Sequence, residues 1–288
     1  MLYVICNPMA GNGRARKTGE MIQKALEKKG LEYEFHWTEK PGHATALAKS
    51  AQNAGAETVL AVGGDGTAFE VARGLLGGPC ALGVIPAGTG NDFIKTLGLP
   101  QRPEEALEYV LSHPAEKTDV GEINGALFLN EIGTGFDVSV LEHAAKAKRF
   151  VRGILPYFYG VLRTIVHFHS IPVTYSVDGA APVTADAFVV GVANGGIIGG
   201  GIVIAPGARA DDGLLDVVIV EKIAGRSLLP RLIGLMKGKI LTFPETRHFR
   251  AVSVEFSSPG QRLNVDGEII PAPSASIRIL PGALLIRR

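Results

Sequence analysis

Over the first third of the chain, short apolar runs alternate with segments of helical spacing. Leu2 to Cys6, Tyr33 to Trp37, Thr58 to Val62 and Ala81 to Ile85 have the length and composition of buried strands. Between the first two runs, Thr18, Met21, Ile22, Ala25 and Leu26 recur at helical spacing, as do Ala44, Leu47, Ala48 and Ala51 between the next two. This alternation predicts an α/β layer, a parallel sheet with flanking helices that binds ligands at the carboxyl ends of its strands. Pro103 with Glu104 and Glu105 marks the first turn of a further helix, where proline lacks no needed donor and acids oppose the helix dipole.

After His113-Pro114 the pattern changes. Ala126 to Asn130, Val173 to Val177, Ala187 to Ala193, Leu215 to Val220, Val252 to Phe256, Leu263 to Val265 and Ile277 to Leu280 read as strands. Helical spacing interrupts them at roughly 138–168 and 227–236. The expected organisation is an α/β domain over residues 1–118 and a mostly antiparallel β-sandwich over 119–288, with helical insertions and a cleft between the two. Ala187 to Ala208 carries no charge and is long enough to span a bilayer. Its seven glycines, including Gly199-Gly200-Gly201, weaken a helix, so two buried strands around a glycine-rich loop are expected instead.

Composition narrows the class. With 46% hydrophobic and 20% charged residues in 288, the chain is expected to be globular. Its 29 basic and 28 acidic side chains nearly cancel, which removes the general field that would hold nucleic acid. The N-terminal residues show neither the basic start nor the long apolar core of a secretory signal. Cys6 and Cys80 lie far apart in apolar surroundings, as buried reduced thiols of a cytoplasmic protein do. The seven histidines and two cysteines form no zinc spacing, and no GxSxG nucleophile turn is present.

Three glycine-rich turns follow three of the predicted strands. Asn7-Pro8-Met9-Ala10-Gly11-Asn12-Gly13 leads into a helix opening with Arg14, Arg16 and Lys17. Gly63-Gly64-Asp65-Gly66-Thr67 opens a helix through Phe69, Glu70 and Val71, and Pro86-Ala87-Gly88-Thr89-Gly90-Asn91-Asp92-Phe93 repeats the design. Glycine lets backbone approach a phosphate, a helix N-terminus adds partial positive charge, and Asp65 between glycines can orient a nucleotide's magnesium or its phosphates. The plainer alternatives are a helix N-cap for Asp65, against which its flanking glycines speak, and a tight turn before a solvated basic face for the first turn. Neither GxxxxGK[ST] nor a GxGxxG after the first strand with its partner acid is present, so P-loop and dinucleotide-dehydrogenase readings are disfavoured.

Together, Asn7-Pro8-Met9-Ala10-Gly11, GGDGT at 63–67 and PAGTGNDF at 86–93 resemble the diacylglycerol kinase catalytic family, which includes bacterial lipid kinases and the sphingosine and ceramide kinases. The resemblance continues through NEIGTGFD at 130–137, DGLLDV at 212–217 and Asp266-Gly267-Glu268. GGDGT by itself is shared with NAD kinases and phosphofructokinases, whose fold the first domain is expected to follow. The resemblance implies an ATP-dependent kinase that phosphorylates a lipid hydroxyl. It implies ATP and Mg2+ as cofactors, with Asn7, Pro8, Gly11, Thr38, Gly63, Gly64, Asp65, Gly66, Thr67, Glu70, Gly88, Thr89, Asn91 and Asp92 on the nucleotide side. It also implies Glu268 as general base and Asp65 as its catalytic partner. Asp212, with the carbonyls of Arg209 and Leu214, matches a structural magnesium site. Asn12 stands where some bacterial members have lysine, leaving Arg14, Arg16 or Lys17 as the phosphate-binding charge.

Other features keep two readings. Lys146, Lys148, Arg149 and Arg152 precede Leu155-Pro156-Tyr157-Phe158-Tyr159, either a transient contact with the inner membrane face or a packed helix with an exposed basic end. His167 and His169 flank Phe168 and read as structural. Asp119 and Asp137 read as active-site acids or loop caps. A soluble acceptor such as NAD and a non-catalytic lipid or nucleotide sensor are the alternatives to the lipid kinase. The identity of the lipid and the oligomeric state, a homo-oligomer included, stay open at this stage.

Overall fold

A computed structural model of the chain describes residues 1–147, 155–167, 169–258, 260 and 262–288. Lys148, Arg149, Arg152 and Phe168 lie outside the described residues, as do the side chains of residues 155–158 and His167.

The first layer is built from β1 (Leu2–Cys6), α1 (Arg14–Lys28), β2 (Tyr33–Trp37), α2 (His43–Asn53), β3 (Thr58–Gly63), α3 (Asp65–Leu75), β4 (Ala81–Pro86), α4 (Asp92–Thr96) and α5 (Pro103–Ser112). Its four strands pair in parallel in the order β2-β1-β3-β4. Side chains alternate between faces along each strand. Tyr3, Ile5, Val59 and Ala61 pack with Ala44, Ala48, Val71 and Leu75 of α2 and α3. Val4, Cys6, Leu60 and Val62 pack on the other face with Ile22 and Leu26 of α1 and Leu107 and Val110 of α5. Covering both faces is what makes β3 and β4 buried at every position, which in sequence is a continuous apolar run. Burial pushes the Cys6 thiol up to about 12 and Cys80 to about 11, so both are unionised, and neither forms a disulfide.

The second layer contains β5 (Ala115–Ile123), β6 (Ala126–Phe128), β7 (Glu131–Gly135), α6 (Phe136–Ala147), α7 (Leu155–His167), β8 (Ile171–Val177) and β9 (Val183–Ala193). These are followed by β10 (Ile197–Ile198), β11 (Ile202–Val203), β12 (Leu215–Glu221), α8 (Gly225–Met236), β13 (Thr246–Ala251), β14 (Ser253–Ser257), β15 (Arg262–Val265), β16 (Glu268–Pro271) and β17 (Ser274–Arg287). Pairing among β7, β8, β9, β12, β13, β14, β15 and β16 is antiparallel throughout. Val217 and Ile219 of β12 face a core that includes Val190, Val192, Val254, Phe256 and Ile277. The alternate residues Val218 and Val220 face Phe136, Phe188 and Leu232 under the helices.

The uncharged stretch resolves as β9 followed by the two-residue arms of β10 and β11 around Gly199-Gly200-Gly201, so its second strand is a small hairpin rather than a sheet strand. Among the described residues no helix is long and apolar enough to cross a membrane.

β17 joins the two layers. Its first half pairs with β14, and at Ile286↔Leu82 it runs parallel to β4 at the edge of the first sheet. Ile277 and Ile279 lie in the sandwich core, Leu284 and Ile286 in the α/β core. β5 follows β17 antiparallel from Ile277↔Ile123 to Arg287↔Ala115, with a register break between Leu280 and Leu284. Residue 118 therefore lies within a strand that runs along both layers. Asp119 holds the break: its carboxylate accepts the Gly282 and Gly213 amides, each at 2.7 Å. It acts in the structure as the loop cap.

Candidate active site

The three glycine turns lie at the carboxyl ends of β1, β3 and β4 and lean on one another. Asn7 Nδ2 donates to Thr67 Oγ1 at 3.3 Å, joining the first turn to the second, while Asn7 Oδ1 accepts the Met9 amide across Pro8. A Cβ on Gly88 would lie 2.4 Å from the Gly64 Cα, and one on Gly63 would lie 2.3 Å from Thr67 Oγ1. Only glycine permits this approach. Gly11, at φ +60, faces the Ala87 carbonyl, where a Cβ would come within 2.2 Å. Arg14 ties the first turn to the third, donating from Nε to the Gly11 carbonyl (3.1 Å) and from a terminal nitrogen to the Gly88 carbonyl (2.9 Å). Arg16 stacks over Trp37, and Lys17 is exposed with no partner among the described residues.

The N-termini of α1 and α3 carry no side-chain cap, which leaves backbone N–H groups available to an anion. Gly66 opens α3 with clear space where a Cβ would be, and Thr89 is exposed at the tip of the third turn. Thr38 follows β2 beside the first turn, its amide on the Cys6 carbonyl at 2.9 Å. Glu70 is directed elsewhere: its carboxylate accepts the Gly42 (2.9 Å) and Ala44 (3.1 Å) amides and so caps α2.

Asp65 is not a cap of its own helix. Its Oδ1 accepts the Phe93 amide at 3.0 Å, and Asn91, at φ +52, closes the third turn by accepting the Gly88 amide at 3.0 Å. Burial raises the Asp65 carboxyl above the usual carboxylate range; the Phe93 amide opposes this and the Asp92 charge adds to it. A Cβ on Gly90 would meet Asp65 Oδ2 at 3.0 Å and Asp92 Oδ2 at 3.4 Å, so the two carboxylates flank one glycine.

Short helix α4 connects this cradle to the β layer. Asp92 Oδ2 accepts the Gly200 amide (2.7 Å), Lys95 Nζ donates to the Gly200 carbonyl (2.8 Å) and pairs with Asp92 (3.2 Å), and Thr96 donates to Asn130 (3.2 Å). The tip of the β10–β11 hairpin is thus gripped on both sides of one residue. Sequence reasoning missed Lys95, although its position three residues after Asp92 at a helix start was a usable signal.

From the β layer, the Asp266-Gly267-Glu268 turn enters between β15 and β16. The Asp266 carboxylate accepts the amides of Leu129 (2.6 Å), Asn130 (2.9 Å) and Glu131 (3.0 Å). Burial pushes it up to about 6, opposed by those three amides and assisted by the charge of Asp65, which places the turn within electrostatic range of the glycine cradle. Glu268 follows at the start of β16, exposed to solvent. Behind the turn, Asn264 donates to Glu131 (3.4 Å) and Asp137 (3.3 Å), and Gly133 leaves room for both acids, since a Cβ there would lie 2.2 Å from Asp137. Burial raises Glu131 well above the usual range, with the charges of Asp137, Asp266 and Asp92 adding to it, and burial pushes Asp137 up to about 6. Nothing in the linear pattern pointed to Asn264, whose role depends on bringing β15 beside β7.

Arg209, Asp212 and Leu214 lie apart from the glycine turns, along an open cleft of about 430 Å³ shared with Asp216, His248 and Arg250. Asp212 accepts the Leu214 amide at 3.1 Å and forms an ion pair with Arg250, while Arg209 pairs with Asp211 at 3.0 Å. The guanidinium of Arg250 is the partner of Asp212 in this arrangement. Among the described residues no three acidic, histidine or cysteine side chains gather as a metal site.

An α/β layer with a glycine cradle at its strand ends, joined to an antiparallel β sandwich, defines a kinase architecture of the NAD kinase type. A solved NAD kinase of Archaeoglobus fulgidus in complex with ATP has this fold, with a TM-score of 0.54 and 14% identity over 100% of this chain and 94% of that one. The diacylglycerol kinase catalytic domain matches residues 1–123 and the YegS C-terminal NAD kinase β sandwich-like domain residues 130–288, and the chain belongs to this diacylglycerol kinase family. A diacylglycerol kinase of Mycobacterium tuberculosis is 30% identical over 99% of this chain and 94% of its own length. A diacylglycerol kinase of Staphylococcus carnosus is 32% identical over 92% and 87%. A crystal structure of a diacylglycerol kinase from Bacillus anthracis superposes with a TM-score of 0.80 at 28% identity, over 99% of this chain and 96% of that one. The kinase reading and the two-layer fold expected from sequence both stand.

Proposed function

We propose that the chain transfers the γ-phosphate of ATP to a hydroxyl of a lipid such as diacylglycerol. The observation that carries this is the convergence of the three glycine turns around Asp65, with the Asp266-anchored turn bringing Glu268 from the other layer. The uncapped N-termini of α1 and α3, the close glycine approaches and exposed Lys17 suit a polyphosphate. Bound Mg2+-nucleotide supplies the phosphoryl group and charge neutralisation on its oxygens. Asp65 and Asp92, whose oxygens flank Gly90, would hold the metal of such a complex. Glu268, exposed on its hairpin, takes the proton from the attacking hydroxyl. Glu70 acts indirectly by fixing the start of α2 and the preceding turn.

The family relationship favours a lipid acceptor over NAD: the named relatives above are diacylglycerol kinases, and the NAD kinase likeness is one of fold. The test is incubation with radiolabelled ATP, Mg2+ and either a lipid extract or NAD. Label is expected in a lipid, and Asp65→Asn should abolish it while leaving the fold intact. Label in NAD alone, or full activity in Asp65→Asn, would overturn the assignment.

A further inference from the structure

A surface helix ordinarily buries one apolar stripe and turns polar residues outward. Helix α8 does not. Its inner positions Leu228, Leu232 and Leu235 pack on the layer that includes Phe136, Phe188, Val218 and Val220. Its outer positions Leu229, Ile233 and Met236, spaced four and three apart, are 63%, 48% and 77% exposed. Arg231 offers the outer face no free charge, being held bidentately by Glu245 (2.9 and 3.1 Å) and stacked over Phe243. A second apolar patch lies on α7, where Tyr159 is 49% and Leu162 52% exposed, and that helix packs on the same layer through Val161 and Ile165.

Charge identifies the occupant. Although acids and bases nearly balance over the whole chain, residues 222–244 contain Lys222, Arg226, Arg231, Lys237 and Lys239 and no acid. Residues 143–177 likewise contain five bases and no acid. Lys237 and Lys239 are exposed at the end of α8, immediately after the apolar stripe. Exposed aliphatic side chains beside unopposed lysines match an anionic bilayer, whose interface takes the former and whose headgroups attract the latter. The helix also leads toward the proposed active site: it packs on β11, and the β10–β11 hairpin is the one gripped at Gly200 by Asp92 and Lys95.

We propose that the outer face of α8, with Lys237 and Lys239, docks the protein on anionic membrane. A second copy of the chain fits less well, because each would bring the same unopposed positive charge to the contact.

The test is sedimentation with vesicles of phosphatidylglycerol and phosphatidylcholine in equal parts, without ATP, so that the result does not depend on turnover or on the acceptor. The wild type is expected to bind these vesicles and to bind pure phosphatidylcholine at least about tenfold more weakly. Leu229→Gln/Ile233→Gln/Met236→Gln and, separately, Lys237→Gln/Lys239→Gln should each lower binding about tenfold or more, with melting temperature and nucleotide affinity unchanged. Wild-type vesicle binding by both variants overturns the proposal, as does a wild type that ignores anionic vesicles. A dimer in solution that the apolar triple variant dissociates overturns it in favour of a second copy. The lysine pair, which removes no packing group, keeps the test valid if the triple variant is unstable.

Discussion

Asp266→Ala is the perturbation whose consequence can be worked furthest. It leaves three buried amides, those of Leu129, Asn130 and Glu131, without the acceptor now 2.6 to 3.0 Å away. Each unpartnered buried donor costs about 1–3 kcal/mol. Alanine at the positive φ of this position, +47, adds about 1 kcal/mol. Against this, the native carboxyl, pushed from 3.8 to about 6, resists ionisation at neutral pH by roughly 3 kcal/mol, which the variant recovers. The net loss is about 4 kcal/mol at neutral pH. The pH dependence is distinctive. A folded-state pKa raised above the unfolded value means the native state binds the extra proton, so this group's contribution is full below about 3.8 and declines as pH rises through about 6. The gap between wild type and Asp266→Ala should therefore be wider near pH 4 than at neutrality. Asp266→Asn keeps an oxygen acceptor and tolerates positive φ, and should lose about 1 kcal/mol. Urea denaturation across pH measures all three proteins. An Asp266→Ala protein within 1 kcal/mol of wild type, or a gap that widens toward high pH, would refute the reasoning.

Three further outcomes are expected. Glu268→Gln should lower kcat about 10²- to 10⁴-fold, the usual contribution of a general base, with nucleotide affinity unchanged in an equilibrium binding measurement. Gly88→Ala, whose new methyl would lie 2.4 Å from the Gly64 Cα, should separate the second and third turns and abolish nucleotide binding, read by titration calorimetry. Glu131→Gln should stabilise the protein more near pH 8 than near pH 5, because burial and the neighbouring acids raise the native carboxyl well above its ordinary value and the native protein loses stability as pH rises through its titration; the melting temperatures of variant and wild type should converge at the lower pH.

Much of the first layer was legible because its cues are local. Strands of continuous apolar residues, helices at 3.6 spacing and Pro103 at a first turn appear where the pattern placed them. The second layer was read less completely. β13, Thr246–Ala251, is edged with Arg247, His248 and Arg250, and its polar face hides the strand until β12 is seen beside it. Glu131–Gly135 carries two glycines and an acid, a poor strand by propensity, and is made one by β9 and β15 on either side.

For the site, residue types at close spacing were enough to mark the three glycine turns, since approach of one backbone to another demands glycine whatever the fold. Which side chain does what was decided only by tertiary structure. Glu70, four residues into the motif from Gly66, faces the start of α2; Arg14 joins two turns; Asp212 meets Arg250, 38 residues away. The sequence by itself determined a parallel α/β layer, a β layer and the order of their motifs, because short-range periodicity and steric need are written residue by residue. The return of β17 to the first sheet, the grip of α4 on Gly200 and the unopposed apolar face of α8 depend on which distant surfaces meet, and only the folded chain settles that.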